Sequence, residues 1–174
     1  KSLAYEIWEQ LGYICPDNII CPVGNGSIAL GLVQGFKELL NNSEVDKLPR
    51  IFGVEPANSN AIYRKFNGLK EDFEAEPTIA EGIALRYSSK AQEVVKAISE
   101  SKGEMEAVTE GEIIKALEKI SKKGFFIEPT SAAALAGLTR LIDKGEIAQD
   151  EKTVVIISGN GLKASDKILQ YLVK

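Results

Sequence analysis

Histidine is absent from this 174-residue sequence, and the whole chain carries two cysteines, one methionine and one tryptophan. Without histidine the chain cannot supply an imidazole base, a histidine triad, or a histidine-ligated zinc or iron site. Cys15 and Cys21 have five residues between them. That spacing fits neither a CxxC redox or metal pair nor a secreted disulfide framework, so both are expected to be reduced packing or loop residues. A basic surplus is also missing: 21 Lys+Arg stand against 25 Asp+Glu, for a net charge of −4. Nucleic acid and anionic membrane surfaces are therefore not expected partners. No apolar run approaches the roughly 20 residues needed to cross a bilayer, and no secretory leader is visible. The expectation is a cytoplasmic protein. The first residue is Lys1 and the chain opens inside a helical pattern, which reads as the later part of something longer.

What is present is ample apolar material, 44% of residues, enough for residues 1–174 to bury a core as a single domain. Residues 2–11 place Leu3, Ala4, Ile7, Trp8 and Leu11 on one helical face and end at Gly12. The apolar run 18–23 reads as a strand, followed by a glycine turn and a helix carrying Ala29, Leu32, Val33, Phe36, Leu39 and Leu40. Residues 50–55 predict a second strand and 59–66 a second strand-following helix. Residues 67–87 read as a loop with a single helical turn near 79–84. A helix from Ser88 ends before Gly103, residues 104–108 predict a strand, and Thr109 with Glu112 forms a capping-box pattern for a helix reaching Gly124. Residues 125–128 predict another strand, and Pro129 suits the first turn of a helix that is small and apolar nearly all round. Residues 153–158 read as a strand buried on both faces, leading through Gly159-Asn-Gly161 to a last short helix. This alternation predicts an α/β fold of three layers, αβα, with a mostly parallel sheet and ligands at the carboxyl ends of its strands.

Three segments at those strand ends carry candidate chemistry. Gly24, Asn25, Gly26 and Ser27 form a loop whose backbone can approach an anion at a helix N-terminus, or equally a tight turn with Ser27 as N-cap. It is neither a Walker loop nor a GxGxxG fingerprint. Glu128 closes a predicted strand just before Thr130 and Ser131 open a helix, an arrangement that also suits plain helix capping. Ser158 precedes Gly159 and Asn160 in a glycine turn. With no base to activate it, its hydroxyl is a hydrogen-bond partner and not a nucleophile.

Taken in order, Pro22-Val-Gly-Asn-Gly-Ser27, Gly35-Phe-Lys-Glu-Leu39, Pro77-Thr-Ile-Ala-Glu-Gly-Ile83, Glu128-Pro-Thr-Ser-Ala-Ala133 and Ser158-Gly-Asn-Gly-Leu-Lys163 resemble the fold-type II pyridoxal-phosphate (PLP) enzymes, and within them the threonine synthase family. The resemblance covers nearly the whole chain. It implies the large cofactor domain of such an enzyme, with Gly24, Asn25, Gly26 and Ser27 holding the PLP phosphate. Ser158 would then bond the pyridine nitrogen, with Glu128, Gly159 and Asn160 close to the ring. The implied reaction converts O-phosphohomoserine and water to threonine and phosphate, in a cytoplasmic homodimer, on a phosphorylated amino-acid substrate. The family's Schiff-base lysine belongs to a segment with no counterpart here, and Lys163 lies in a different motif. The implied partner is thus the missing N-terminal half of the same enzyme, and the chain alone is expected to be inactive. At Asn160 the family often carries histidine. Cysteate synthase and serine/threonine dehydratases remain alternatives, as does a non-catalytic phosphate-binding α/β module.

Overall fold

A computed structural model describes residues 1–172. Four strands, β1 (Asn18–Pro22), β2 (Arg50–Pro56), β3 (Met105–Val108) and β4 (Thr153–Val155), form one sheet in the order β3-β2-β1-β4, every pair parallel. The helices are α1 (Ser2–Gln10), α2 (Ser27–Asn41), α3 (Ala61–Phe66), α4 (Ala91–Glu100), α5 (Glu110–Ser121), α6 (Pro129–Asp143) and α7 (Ser165–Leu172).

Strand pleating sorts neighbouring side chains to opposite faces. Ile19 and Cys21 of β1 join Leu32 and Phe36 of α2, Ala4 of α1 and Ile98 of α4 in one buried cluster. Ile20, with Phe52 and Val54 of β2, joins Ile113 and Leu117 of α5 and Ala132, Ala133, Ala134 and Ala136 of α6 in the other. The expected three-layer α/β architecture is what forms. The alanines of α6 are all buried, because only small side chains let a helix lie this close to a sheet.

The strand order places the site. From β1 the chain moves outward through β2 to β3, then returns to β4 on the other flank of β1. Loops after β1 and β4 therefore diverge to opposite faces, opening a crevice at the carboxyl ends, where ligands bind in open α/β sheets.

Two strand expectations fail. Residues 125–128 do not join the sheet. They make a single antiparallel bridge, Ile127 to Asn160, with Phe125 and Phe126 exposed. Their backbone pairs instead with the turn after β4, through Gly161 N–H to Phe126 O at 3.0 Å and Glu128 N–H to Gly159 O at 3.1 Å. Residues 153–158 were expected to be buried on both faces. The strand stops at Val155 and is half-buried, since β4 is an edge of the described sheet. Ile156 N–H still reaches Ile20 O at 2.8 Å, but Ile157 and Ser158 are exposed. The turn near 79–84 is present as a 3₁₀ turn, Glu81–Ile83. Among the described residues no helix is long and apolar enough to cross a membrane.

Candidate functional site

The cradle begins where β1 runs out. Gly26 is the N-cap of α2 with φ +85°, a left-handed conformation that glycine adopts without steric penalty. A Cβ at this position would lie 2.1 Å from Cγ2 of Val94 on α4, so the loop is pressed against that helix and has no room for a side chain. Ser27 is the first residue of α2, not its cap, and no side chain caps the helix. Its first N–H groups lack intrahelical acceptors by geometry, and its first turn contains no acidic residue. Positive partial charge is thus left facing the crevice.

Opposite stands a hydroxyl–carboxyl group. Ser158 Oγ donates to Glu128 Oε1 at 3.2 Å and lies 3.3 Å from Ser131 Oγ. Gly159 N–H donates to Ser131 Oγ at 3.0 Å. A Cβ on Gly159 would come within 2.2 Å of the Glu128 carboxyl, so the turn after β4 and the start of α6 fit together only with glycine there.

Between the two lies a cavity of about 280 Å³, lined by Gly24, Asn25, Gly26, Ser27, Glu128 and Ser158 together with Pro22, Ile28, Gly82, Ile83 and Thr130. Six of the eight residues singled out from the sequence meet here. Gly159 and Asn160 do not line it: Asn160 is exposed and its Oδ1 accepts from Leu162 N–H at 2.9 Å, capping the 3₁₀ turn Gly161–Ala164. Thr130, Gly82 and Ile83 join the site beyond the residues that the sequence points to, and each sits inside one of the five ordered motifs. Their signal was the motif, and only the fold brings the 3₁₀ turn over the start of α6. No lysine lines this cavity among the described residues, and Lys163 is exposed outside it.

A wider depression of about 660 Å³, lined by Tyr13, Ile14, Cys15 and residues 43–46, lies at the amino ends of the strands, away from these groups. Burial pushes its Cys15 thiol up to about 11, and Cys21, wholly enclosed, is raised to about 12 for the same reason.

An open parallel sheet whose strand order reverses beside a glycine-led helix N-terminus defines an α/β protein with a crevice suited to a small-molecule ligand at the carboxyl ends of its strands. A family model described as "Pyridoxal-phosphate dependent enzyme" matches residues 1–159, and the chain belongs to that family, whose members depend on PLP. It is 36% identical to a threonine synthase of Methanocaldococcus jannaschii over 98% of its length and 34% identical to one of Mycobacterium tuberculosis, also over 98%. The chain spans 43% and 46% of those two proteins. Among solved structures, a fungal L-serine ammonia-lyase from Rhizomucor miehei matches 98% of the chain with 55% of its own, at TM-score 0.73 and 25% identity. The processed threonine deaminase isoform 2 of Solanum lycopersicum shares the fold at TM-score 0.73 and 22% identity, over 98% of this chain and 48% of its own.

The residues present fit the phosphate of PLP. The cradle offers backbone donors with no competing side-chain cap and no acid in the first turn of the helix, which suits a dianion.

Proposed function

We propose that residues 1–174 are the C-terminal, cofactor-binding domain of a PLP-dependent lyase of the threonine synthase type, acting on O-phosphohomoserine and water to give threonine and phosphate. The observation that carries this reading is the cavity in which the N-terminus of α2 faces the Glu128–Ser158 pair. Identity with threonine synthases over nearly the whole chain supports the choice of reaction. In this reading Gly24, Asn25, Gly26 and Ser27 hold the phosphate group and Ser158 holds the pyridine nitrogen, with Gly159 shaping the turn and Asn160 bracing it. When bound, PLP supplies an electron sink for negative charge developing on substrate carbon.

The chain's own groups do the positioning. The α2 dipole and free N–H groups bind the phosphate without a lysine or arginine. Ser131 accepts the Gly159 N–H and fixes the Ser158 turn. Ser158 is neutral, so by turning its single hydroxyl proton from Glu128 to the ring nitrogen it would hold that nitrogen without forcing a proton onto it, which suits elimination and replacement better than transamination. Ile83 and Gly82 form part of the cavity wall.

The catalytic lysine is assigned to a segment preceding Lys1, so this chain alone should form no covalent PLP adduct. The partner is that N-terminal half, and the assembled enzyme is read as a cytoplasmic homodimer. The test is an assay of a protein of the relatives' length that carries this chain: phosphate release with threonine formation from O-phosphohomoserine supports the proposal. A second reading, a serine or threonine dehydratase, is favoured by the match to L-serine ammonia-lyase. Ammonia release from serine or threonine, with no turnover of O-phosphohomoserine, would select it.

A further inference from the structure

The loop at the start of α2 is backed at two points by α4 and the residues just before it. One is Val94, pressed behind Gly26. The other is Ser88, which lies just before α4, is 4% exposed, and has its Oγ 2.9 Å from Asn25 Oδ1. Nothing in the sequence motifs singled out Ser88, and the activity proposed above gives it no part.

The direction of this contact follows from the other bond the hydroxyl makes. Ser88 Oγ already accepts the Lys90 N–H at 3.2 Å. Its single proton therefore needs an acceptor, and in so buried a place an unmade hydrogen bond is costly. The Asn25 carbonyl oxygen meets that need. With the amide turned the other way, two donors would converge on the hydroxyl oxygen and its proton would lose the acceptor it now has. The amide of Asn25 is thus held oxygen-to-Ser88, which leaves its NH₂, two N–H donors and no acceptor, for the cavity that Asn25 lines.

We propose that Ser88 is a positioning residue of the cradle, holding the Asn25 carbonyl oxygen so that the Asn25 NH₂ faces the cavity as a donor to a phosphate group. This rests on the phosphate-cradle reading above and adds to it a residue outside the glycine loop. An amide fixed this way favours an anion with acceptor oxygens. Left free to rotate, it would present its own oxygen to the phosphate in part of the population and repel it.

The experiment is calorimetric titration of this chain with pyridoxine 5′-phosphate and with pyridoxine, probes that differ in the phosphate and carry no aldehyde to react with surface lysines. The wild-type chain should prefer the phosphorylated probe. Ser88→Ala should lower that preference by about fivefold to tenfold, less than the full worth of a hydrogen bond to a charged group because a freely rotating amide still offers its NH₂ part of the time. Ser88→Thr, which keeps the hydroxyl, should restore it. Asn25→Asp, which has no NH₂, should lower the preference at least as far, and adding Ser88→Ala to it should cause no further loss. Merely structural damage would weaken both probes alike and would not be rescued by threonine. If Ser88→Ala does not fold, Ser88→Cys, of similar size and a poor donor, carries the same expectation. A wild-type chain that does not distinguish the probes would overturn the phosphate-cradle reading itself. A wild-type preference that survives both Ser88→Ala and Ser88→Cys would leave that reading standing and overturn the role of Ser88.

Discussion

Two strand-to-helix junctions lie side by side at the carboxyl end of the sheet and treat their helices in opposite ways. After β2, the Glu55 carboxyl, almost wholly buried, accepts N–H bonds from Ile62 at 3.3 Å and Tyr63 at 2.6 Å, so the N-terminus of α3 is closed from within. After β1, the N-terminus of α2 has neither a capping side chain nor an acid in its first turn. The α5 junction follows the first pattern: Thr109 and Glu112 satisfy one another's backbone N–H groups, and Glu112 also holds Arg140 Nε at 2.6 Å. At α3 and α5 the chain closes the helix start with its own side-chain acceptors. At α2, as at α1 and α6, it does not, and among these α2 is the one whose start is a glycine loop lining the cavity.

The sharpest way to break this comparison is at the open junction. Gly26→Val would combine a positive φ with a Cβ driven into Val94. It should cost about 2–4 kcal/mol of stability, the sum of backbone strain and overpacking. Urea unfolding checks this, and a variant as stable as wild type would mean that the loop is not pinned against α4. The expected injury is to the scaffold behind the loop, since the added side chain points at α4 and not into the cavity.

The closed junction has its own signature. Desolvation raises the Glu55 carboxyl to about 8, against the opposing pull of the Tyr63 and Ile62 N–H groups. Between the ordinary value of 4.5 and about 8 the folded chain holds a proton that the unfolded chain releases. The contribution to stability is therefore complete below 4.5 and declines as pH rises through this window. A loss of about 2 kcal/mol is expected between roughly pH 6 and pH 8, and Glu55→Gln should flatten it. Denaturation midpoints measured across pH in both proteins decide the matter. An unchanged slope in the variant would place the titration elsewhere.

Thr109→Ala removes a cap from α5 and should cost about 1 kcal/mol of stability while leaving the preference for pyridoxine 5′-phosphate over pyridoxine intact. A change in that preference would mean that the closed junctions are not independent of the open one. The smallest effect is expected at Ser158→Ala, about 0.5–1 kcal/mol in binding of pyridoxine 5′-phosphate, the worth of one neutral hydrogen bond. Equal affinity in calorimetry would leave Ser158 as a brace for the turn through Ser131.

Local signals carried much of this plan. The capping box at Thr109 and Glu112 was legible because both partners sit within one helical turn, and Gly12 was legible as a helix end because it follows the last residue of an amphipathic pattern. The run Phe125-Phe-Ile was misread as a strand because apolar, β-favouring residues look alike whether they enter a sheet or lie across its end. Asn160 was drawn toward the ligand by its place in a motif, while the folded turn uses its oxygen on Leu162 N–H.

By itself the sequence determined the alternation of strands and helices, the glycine loop ahead of α2 and the family to which the chain belongs. These follow from periodicity, caps and ordered motifs, all of which act over a few residues at a time. Only the tertiary structure decided that β4 returns to the far flank of β1, which opens the crevice. It alone brought Gly82 and Thr130 to the same wall, buried Glu55 against the start of α3, and set Ser88 against Asn25. Each of these depends on which layer covers which face of the sheet. That is settled by the packing of the whole core, and no short stretch of sequence contains it.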